Sequence, residues 1–493
     1  MVALVAAIAT LIAIPSGTGA SPDETPLASW VPNGPVYATA QGDDGTTYLA
    51  GAFSRIAPST GGSARLDRTD GDVDPAWPGV AGEVRAVVAD GEGGYYLGGE
   101  FQSVGDAPRA NLAHVDSAGV PTAWNPNANG GVAALARAPD GTVYAGGSFT
   151  QIDGAARSRI AAIDGAGAPT AWNPGANSTV SALALSPDGT VYAGGSFTLM
   201  GGSARARLAA LDAAGAATAW YPRANSTVSA LAIAPDGTVY AGGSFTLMGG
   251  SARARLAALD AAGAVTAWDP SANSTVSALA LAPDGTVYAG GSFTLMGGSA
   301  RARLAALDAA GAVTAWDPSA DGAVTALALA ADGTVYAGGA FTQVGGATRE
   351  RLAALASDGL ATGFAADVDN TVEAIVADDD ALVVGGLLTA VGGVSRTNLA
   401  ALDGEGVVTG WDPRANGLVR ALVSADDGVI YVGGDFTSVG GATRQRLAAI
   451  DSSGDVTAWS PAANAPVFAL VLTESAVFAG GSFTALNGQP RAR

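Results

Sequence analysis

Apolar and polar positions along the chain recur with a period of about 48 residues, and Ser178–Asn225 is the clearest copy. In it, Val180–Leu185 is closed by Pro187-Asp188-Gly189, a tight-turn sequence in which glycine supplies positive φ and aspartate bonds nearby backbone. Val191–Thr198, a Gly-Gly loop, Leu208–Leu211, an Asp212-Ala-Ala-Gly215 turn and Ala217–Trp220 follow in order. The runs are too short, and lack the i, i+3, i+4 spacing, for helices. Strands of about five residues with turns every 8–12 residues predict an all-β antiparallel meander. A four-stranded meander of this size cannot bury both faces by itself, whereas copies stacked radially can, so the pattern predicts a β-propeller.

The aromatic residues keep the same register. All nine tryptophans stand at one repeat position: Trp30, Trp77, Trp124, Trp172, Trp220, Trp268, Trp316, Trp411 and Trp459, with Phe364 where the tenth belongs. A phenylalanine series runs from Phe53 to Phe483 with Leu388 as its one exception. A buried tryptophan covers roughly 150–250 Å², so one per unit is expected to wedge neighbouring sheets together. Gly194-Gly195 is expected to leave room for a neighbouring blade's backbone or ring.

Ten units fit between Trp30 and Arg493 at a nearly constant spacing of 47–48 residues, which favours one ring of about ten four-stranded blades over two smaller rings or an open arc. Trp30-Val-Pro32 matches the end of a repeat without the strands that precede it. The last unit stops at Arg491-Ala492-Arg493, where a third strand should begin, and this suggests a clipped C-terminus. Residues 1–20 differ from the rest. Val2–Pro15 is apolar, too short to span a bilayer and suited to a secretory signal, with Thr18-Gly19-Ala20 as its cleavage site; no Lys or Arg precedes Arg55. Residues 21–29 form a polar lead-in, and the propeller repeats occupy 30–493.

Composition narrows the function. Among 493 residues the net charge is −20 and lysine is absent, which argues against nucleic acid or an anionic membrane as partner. With no cysteine and one histidine, thiol chemistry and disulfides are excluded, and neither metal ligation nor a bound cofactor is expected.

The residues GGSFTxxGGxxRxRLAALDAxG, followed by Trp-x-Pro-x-Ala-Asn, resemble the delta-60 repeat family. These are bacterial secreted or surface β-propellers, and the fungal cortical cell-polarity marker carries related repeats. The resemblance implies a propeller at the cell surface or outside it, and little chemistry. A weaker likeness to quinoprotein repeats, in Leu256–Gly263 followed by Trp268, lacks the cysteines and lysine expected around that cofactor.

Residues present in every unit read as scaffold. The arginine series (Arg109, Arg157, Arg205, Arg253, Arg301, Arg349, Arg396, Arg444, Arg491) is expected to bond a neighbouring blade's carbonyls or the recurrent Asp164, Asp212, Asp260 and Asp308. A second series (Arg159, Arg207, Arg255, Arg303, Arg351, Arg446) sits two residues on. Asn129, Asn177, Asn225, Asn273 and Asn416 are expected to cap the turn after Trp-x-Pro. His114 reads as a half-buried substitute for a leucine or isoleucine of the third strand. The sharper candidates lie where the repeat breaks. After the first-strand valine the middle units carry Ala133, Ser181, Ser229, Ser277 and Thr325, whereas the outer units carry Tyr37, Arg85, Glu373, Arg420 and Phe468. In a closed ring the outer units meet, so these five are candidate ligand-binding residues near the channel mouth. The reading is a non-catalytic secreted or cell-surface module for a protein or glycan partner. Its rivals are a polysaccharide-active enzyme using Glu83, Glu100 or Glu373, which would need paired carboxylates ~5–10 Å apart, and a structural spacer.

Overall fold

The computed structural model describes residues 30–490 except 33–35, 42–46, 54, 59, 67–72, 378–381, 387–390, 403–408, 426 and 474–475. The proposed signal segment, the lead-in and Leu388 lie outside the described residues. All regular structure among them is β.

The middle units keep the predicted meander for three strands but not for the fourth, and they add one element. Val180–Leu185 pairs antiparallel with Val191–Gly195, which pairs with Leu208–Leu211. The fourth segment is reduced to a single bridge, Leu211 to Ala217. The first turn is held by Asp188, whose carboxylate accepts the Thr190 amide at 2.9 Å. The presumed Gly-Gly loop is itself a tiny hairpin, Leu199–Met200 against Ser203–Ala204, with both glycines at positive φ. It is tied to the end of the preceding unit by a bridge from Ala176 to Met200. The two strand glycines serve different neighbours. A Cβ on Gly195 would lie 2.2 Å from the Thr179 carbonyl of its own sheet, and one on Gly194 would lie 2.8 Å from the Val228 side chain of the next.

Adjacent units bury their faces against each other. Tyr192, Leu208 and Trp220 of one unit form a single cluster with Val228, Ala241, Phe245, Met248 and Leu259 of the next. Trp220 lies edge-on to Tyr192, centroids 4.9 Å apart, and its indole N–H donates to the Asp260 carbonyl in the neighbouring unit at 3.2 Å. The same bond links Trp124 to Asp164, Trp172 to Asp212, Trp268 to Asp308, Trp316 to Ala356 and Trp411 to Asp451. Each indole thus spans a joint, apolar body in the core and polar edge on the next sheet's turn.

The ten sheets do not form one ring. Taken by inner strand, Val80–Ala89, Val132–Arg137, Val180–Leu185, Val228–Ile233, Val276–Leu281, Val324–Leu329 and Val372–Ala377 lie side by side in that order, and the seventh packs on the first. These make a closed ring of seven. The sheets of Val36–Gln41, Val419–Ser424 and Val467–Thr473 form a separate arc of three.

The two arrays exchange strands. Ser63–Leu66 completes the sheet of Val372–Ala377, and Leu399–Leu402 completes the sheet of Val36–Gln41. The cause is a local shortening. Between its glycine pair and the last leucine of its third strand, the first unit (Gly62 to Leu66) is five residues shorter than Gly202 to Leu211. At about 3.3 Å per residue, the short segment cannot make the return half of the hairpin and still reach its own sheet. Val394–Ser395 fills that return position against Arg55–Pro58 instead. The uniform spacing hid this, because the exchange moves strands between sheets without changing the distance between repeats.

Candidate functional site

The recurrent polar residues are used up by the scaffold. Arg253 donates through Nη2 to the Thr266 carbonyl of its own sheet at 2.5 Å and through Nη1 to the Ala252 carbonyl at 2.7 Å; Arg301, Arg349 and Arg444 repeat the pattern. The partners are therefore carbonyls of the same unit, neither a neighbouring blade's nor the recurrent aspartates. Asp260 instead accepts the Ala262 and Ala264 amides of its turn. Asn177 accepts the Thr198 and Leu199 amides at 2.8 and 2.9 Å, so the loop after Trp-x-Pro and the loop after the second-strand phenylalanine meet on one face.

The residues that break the repeat fall into two groups, one in each array. In the ring, Val372–Ala377 lies beside Val80–Ala89, and this closure brings Glu373 to Arg85. Arg85 donates to Glu83 and Glu100, each at 2.6 Å. The bond to Glu83 raises the guanidinium's pKa further, against the opposing pull of burial. Glu373 is half-buried, and burial, with Glu83 adding to it and Arg85 opposing, pushes its carboxyl above the ordinary glutamate range.

Local sequence makes room for this cluster. Glu100 stands where ordinary units carry a serine, as in Ser196, which contacts Thr227 of the next sheet at 3.2 Å. Gly131 replaces that threonine, and a Cβ there would come within 2.6 Å of the Glu100 carboxylate. Two of the three glutamates singled out from the sequence thus hold one guanidinium, and Glu373 lies within its electrostatic reach.

In the arc, Arg420 grips Asp435 with two bonds, at 3.1 and 2.6 Å, and lies over the Phe468 ring, 5.6 Å from its centroid. Phe468 is 51% exposed. Tyr37 lies on Val36–Gln41, the inner strand beside Val419–Ser424, so it belongs to this second group by position. The expected single sector is therefore split by the strand exchange.

A further polar group escaped the sequence reading. His114 replaces the second alanine of the third strand, the place of Ala258, rather than a leucine or isoleucine. It stacks on Tyr96 with centroids 4.3 Å apart and bonds Asp90 at 2.9 Å and Thr122 at 3.2 Å. Asp90 is buried, which acts to raise its pKa, but the Glu92 amide, His114 and the Gly94 amide outweigh burial and hold the carboxyl below its usual value. Aligning the third strands by their flanking turns, Leu112-Ala-His-Val on Leu256-Ala-Ala-Leu, would have exposed the pairing.

Radial antiparallel sheets closed around an axis define the chain as a β-propeller protein. Residues 138–161, 330–360 and 425–456 match a family described as a domain of unknown function (DUF5122) beta-propeller. No curated protein matches the chain. Among solved structures, it is similar to the WD40 beta propeller domain of Doa1, at 12% identity over 68% of this chain and 96% of that one, TM-score 0.45. The computationally designed Ika8 protein is similar at 16% identity over 63% and 95%, TM-score 0.41. A catalytically inactive virginiamycin B lyase from Staphylococcus aureus, crystallised with quinupristin, is similar at 14% identity over 66% and 98%, TM-score 0.42.

Proposed function

We propose that the chain is an exported, non-catalytic propeller whose ring closure holds a cationic segment of a protein partner. The observation behind this is the pairing of Glu83 and Glu100 with the single guanidinium of Arg85, with Glu373 in electrostatic reach, while the repeated arginines and asparagines are engaged in scaffold bonds. Glu100 keeps half its side chain in solvent, so it offers a carboxylate at the surface that a lysine or arginine can reach. Charge complementarity of this kind sets on-rate and specificity and weakens with salt. Fluorescence anisotropy with a labelled oligo-arginine peptide tests it. Glu100→Gln together with Glu373→Gln is expected to weaken binding about tenfold at low salt, and binding unchanged by the pair would overturn the reading. Export rests on the apolar Val2–Pro15 run, and N-terminal sequencing of protein recovered from culture medium is expected to begin at Ser21.

One observation favours the enzymatic alternative. A carboxyl pushed upward by burial (Glu373) beside one held on an arginine (Glu83) is the division of labour that an acid and a carboxylate need in glycoside cleavage. Release of reducing ends from a polysaccharide panel, lost in Glu373→Gln and declining as pH rises through the elevated Glu373 value, would establish it.

A further inference from the structure

Adjacent ring sheets part at the end where their first strands turn into their second. Between the sheets of Val228–Ile233 and Val276–Leu281 they leave an open cleft of about 720 Å³. Pro235, Asp236, Pro283 and Asp284 of the two turns are exposed on its rim, and Tyr240 and Trp268 are buried among its walls. The cleft lies at the far end of the first strands, whereas Glu83 stands near the beginning of Val80–Ala89.

Tyr240 is 7% exposed and stands edge-on to Trp268, centroids 4.9 Å apart. Among the described residues its hydroxyl makes no hydrogen bond, although it is buried beside the cleft. Burial, with Asp236 adding to it, holds the phenol above its ordinary pKa, so the group keeps its proton and offers a donor as well as an acceptor. The rim carboxylates are the converse. The Thr238 amide holds Asp236 below its usual range and the Thr286 amide does the same for Asp284, so both remain ionised acceptors.

Four successive joints share this arrangement. Tyr144, Tyr192, Tyr240 and Tyr288 each meet a tryptophan edge-on at 4.9–5.0 Å, and in each the turn aspartate adds to burial. The joint before them is plugged. Tyr240 faces Ala258 across its strand pair, whereas Tyr96 faces His114 and stacks on it. Arg137, in the place of Leu281, reaches the Tyr96 hydroxyl. One joint thus satisfies internally the hydroxyl that the next four leave open.

The groups present select the ligand chemistry. An ammonium or guanidinium would meet the carboxylates but could not accept the phenolic proton. An anion would be repelled by the rim and by the net charge of −20. A sugar hydroxyl donates to a carboxylate and accepts from a phenol, and the proline rings give its C–H face an apolar wall.

We propose that these four clefts are carbohydrate subsites, each taking a short run of a neutral glycan, and that together they hold a repeating polysaccharide. Four sites on one rigid ring raise the affinity for a polymer above that for its fragments. The Arg85 cluster plays no part in this, so the two readings fail independently.

The probes are maltotriose, cellotriose and chitotriose, titrated into the full chain and followed by saturation-transfer NMR. At least one is expected to bind saturably, with new amide-exchange protection in the turns 235–238 and 283–286 and none in the plugged joint's turn 91–94. The matching polysaccharide is expected to bind at least tenfold more tightly. A chain carrying Tyr144→Phe, Tyr192→Phe, Tyr240→Phe and Tyr288→Phe keeps the rings packed; it is expected to melt normally and bind the trisaccharide about tenfold more weakly. Ala258→His, copying the plug, is expected to remove protection at its own cleft and leave the neighbouring clefts protected. Glu100→Gln with Glu373→Gln is expected to leave sugar binding unchanged. Three outcomes would overturn the proposal: no binding of any of the three sugars at tens of millimolar, equal binding by the fourfold variant, or spermidine occupying the clefts more tightly than the sugar.

Discussion

Among the described residues seven sheets close into a ring and three form an arc, although both are written in the same repeat. Val36 shows the consequence. At its position in the other nine sheets the valine is fully buried, whereas Val36 is 39% exposed, and among the described residues no sheet packs on it from that side. Closure, not composition, therefore sets how much each identical unit contributes. The ring joint between the seventh and first sheets even has its own fitting. Trp77 donates to Ser63 at 2.9 Å instead of to a neighbouring turn, and Tyr95 stands edge-on to it at 5.7 Å, where ordinary units carry valine.

The division into ring and arc is most directly broken by crosslinking across the exchanged strands. The chain has no cysteine, so introduced pairs report without background. Arg65 faces Val383 across the exchange, and Ala401 faces Tyr48. Arg65→Cys with Val383→Cys is expected to form an intramolecular disulfide in nearly all molecules. Val383→Cys with Ala401→Cys, the pair that an unexchanged chain would bring together, is expected to form none. The reverse result, read by mass spectrometry after oxidation, would dissolve the seven-plus-three arrangement.

Next in size is the contrast between two tryptophans. Trp268 is 6% exposed and bonded across its joint, so Trp268→Ala is expected to cost about 3–5 kcal/mol. Trp459 lines an open cavity, and Trp459→Ala is expected to cost only about 1–2 kcal/mol. Urea unfolding, followed by exchange protection in each array separately because the arrays need not melt as one, distinguishes them. Equal losses would mean that the arc's last joint is as well closed as the ring's.

How far this was legible in the sequence follows from the range of the interactions. Strand order, turn chemistry and the wedge tryptophans are local to one repeat, so periodicity at Trp124, Trp172 and Trp220 revealed them. The strand exchange depends on five residues missing after Gly62 and on Leu399–Leu402, more than 300 residues away in a segment of ordinary length, taking the vacated place. Neither alone announces a partner. For the same reason Arg85 and Glu373 could be named from the break in the repeat, but their meeting required the ring to close at seven. Arg420 and Phe468 were named by the same logic and meet each other in the arc.

A smaller effect is expected at His114, which ties two parts of one ring sheet. His114→Ala removes the ring that bonds Asp90 and is expected to cost about 1–3 kcal/mol. Because Asp90 is held below its unfolded value, its contribution is present above the ordinary aspartate pKa of about 3.9. It is lost as pH falls through the lower folded value. The difference between wild type and His114→Ala should therefore shrink below about pH 4. Thermal unfolding across pH 3–7 measures this, and a difference that stays constant would show that Asp90 gains nothing from the ring.

The smallest expected effect compares residues that both arrays place at one strained position. Just before the third strand, Arg255 has φ of 66°, a left-handed backbone that most side chains disfavour. Ring and arc each contain one asparagine solution to the same geometry: Asn111 and Asn398, at 65° and 64°, donate to the Ala128 and Ala415 carbonyls at 2.8 Å. Arg351 and Arg446 reach the equivalent carbonyls, Val368 and Ala463, through a guanidinium at 2.9 Å. Asparagine makes this bond from a short side chain and tolerates the left-handed region. Arg255→Asn is therefore expected to raise stability by roughly 0.5 kcal/mol, and Asn398→Arg to lower it by a similar amount, since an ordinary surface exchange stays within about ±0.5 kcal/mol. If both substitutions instead destabilise, the arginine is holding the unit by more than backbone geometry, and its long stem packed along the sheet becomes the term to measure.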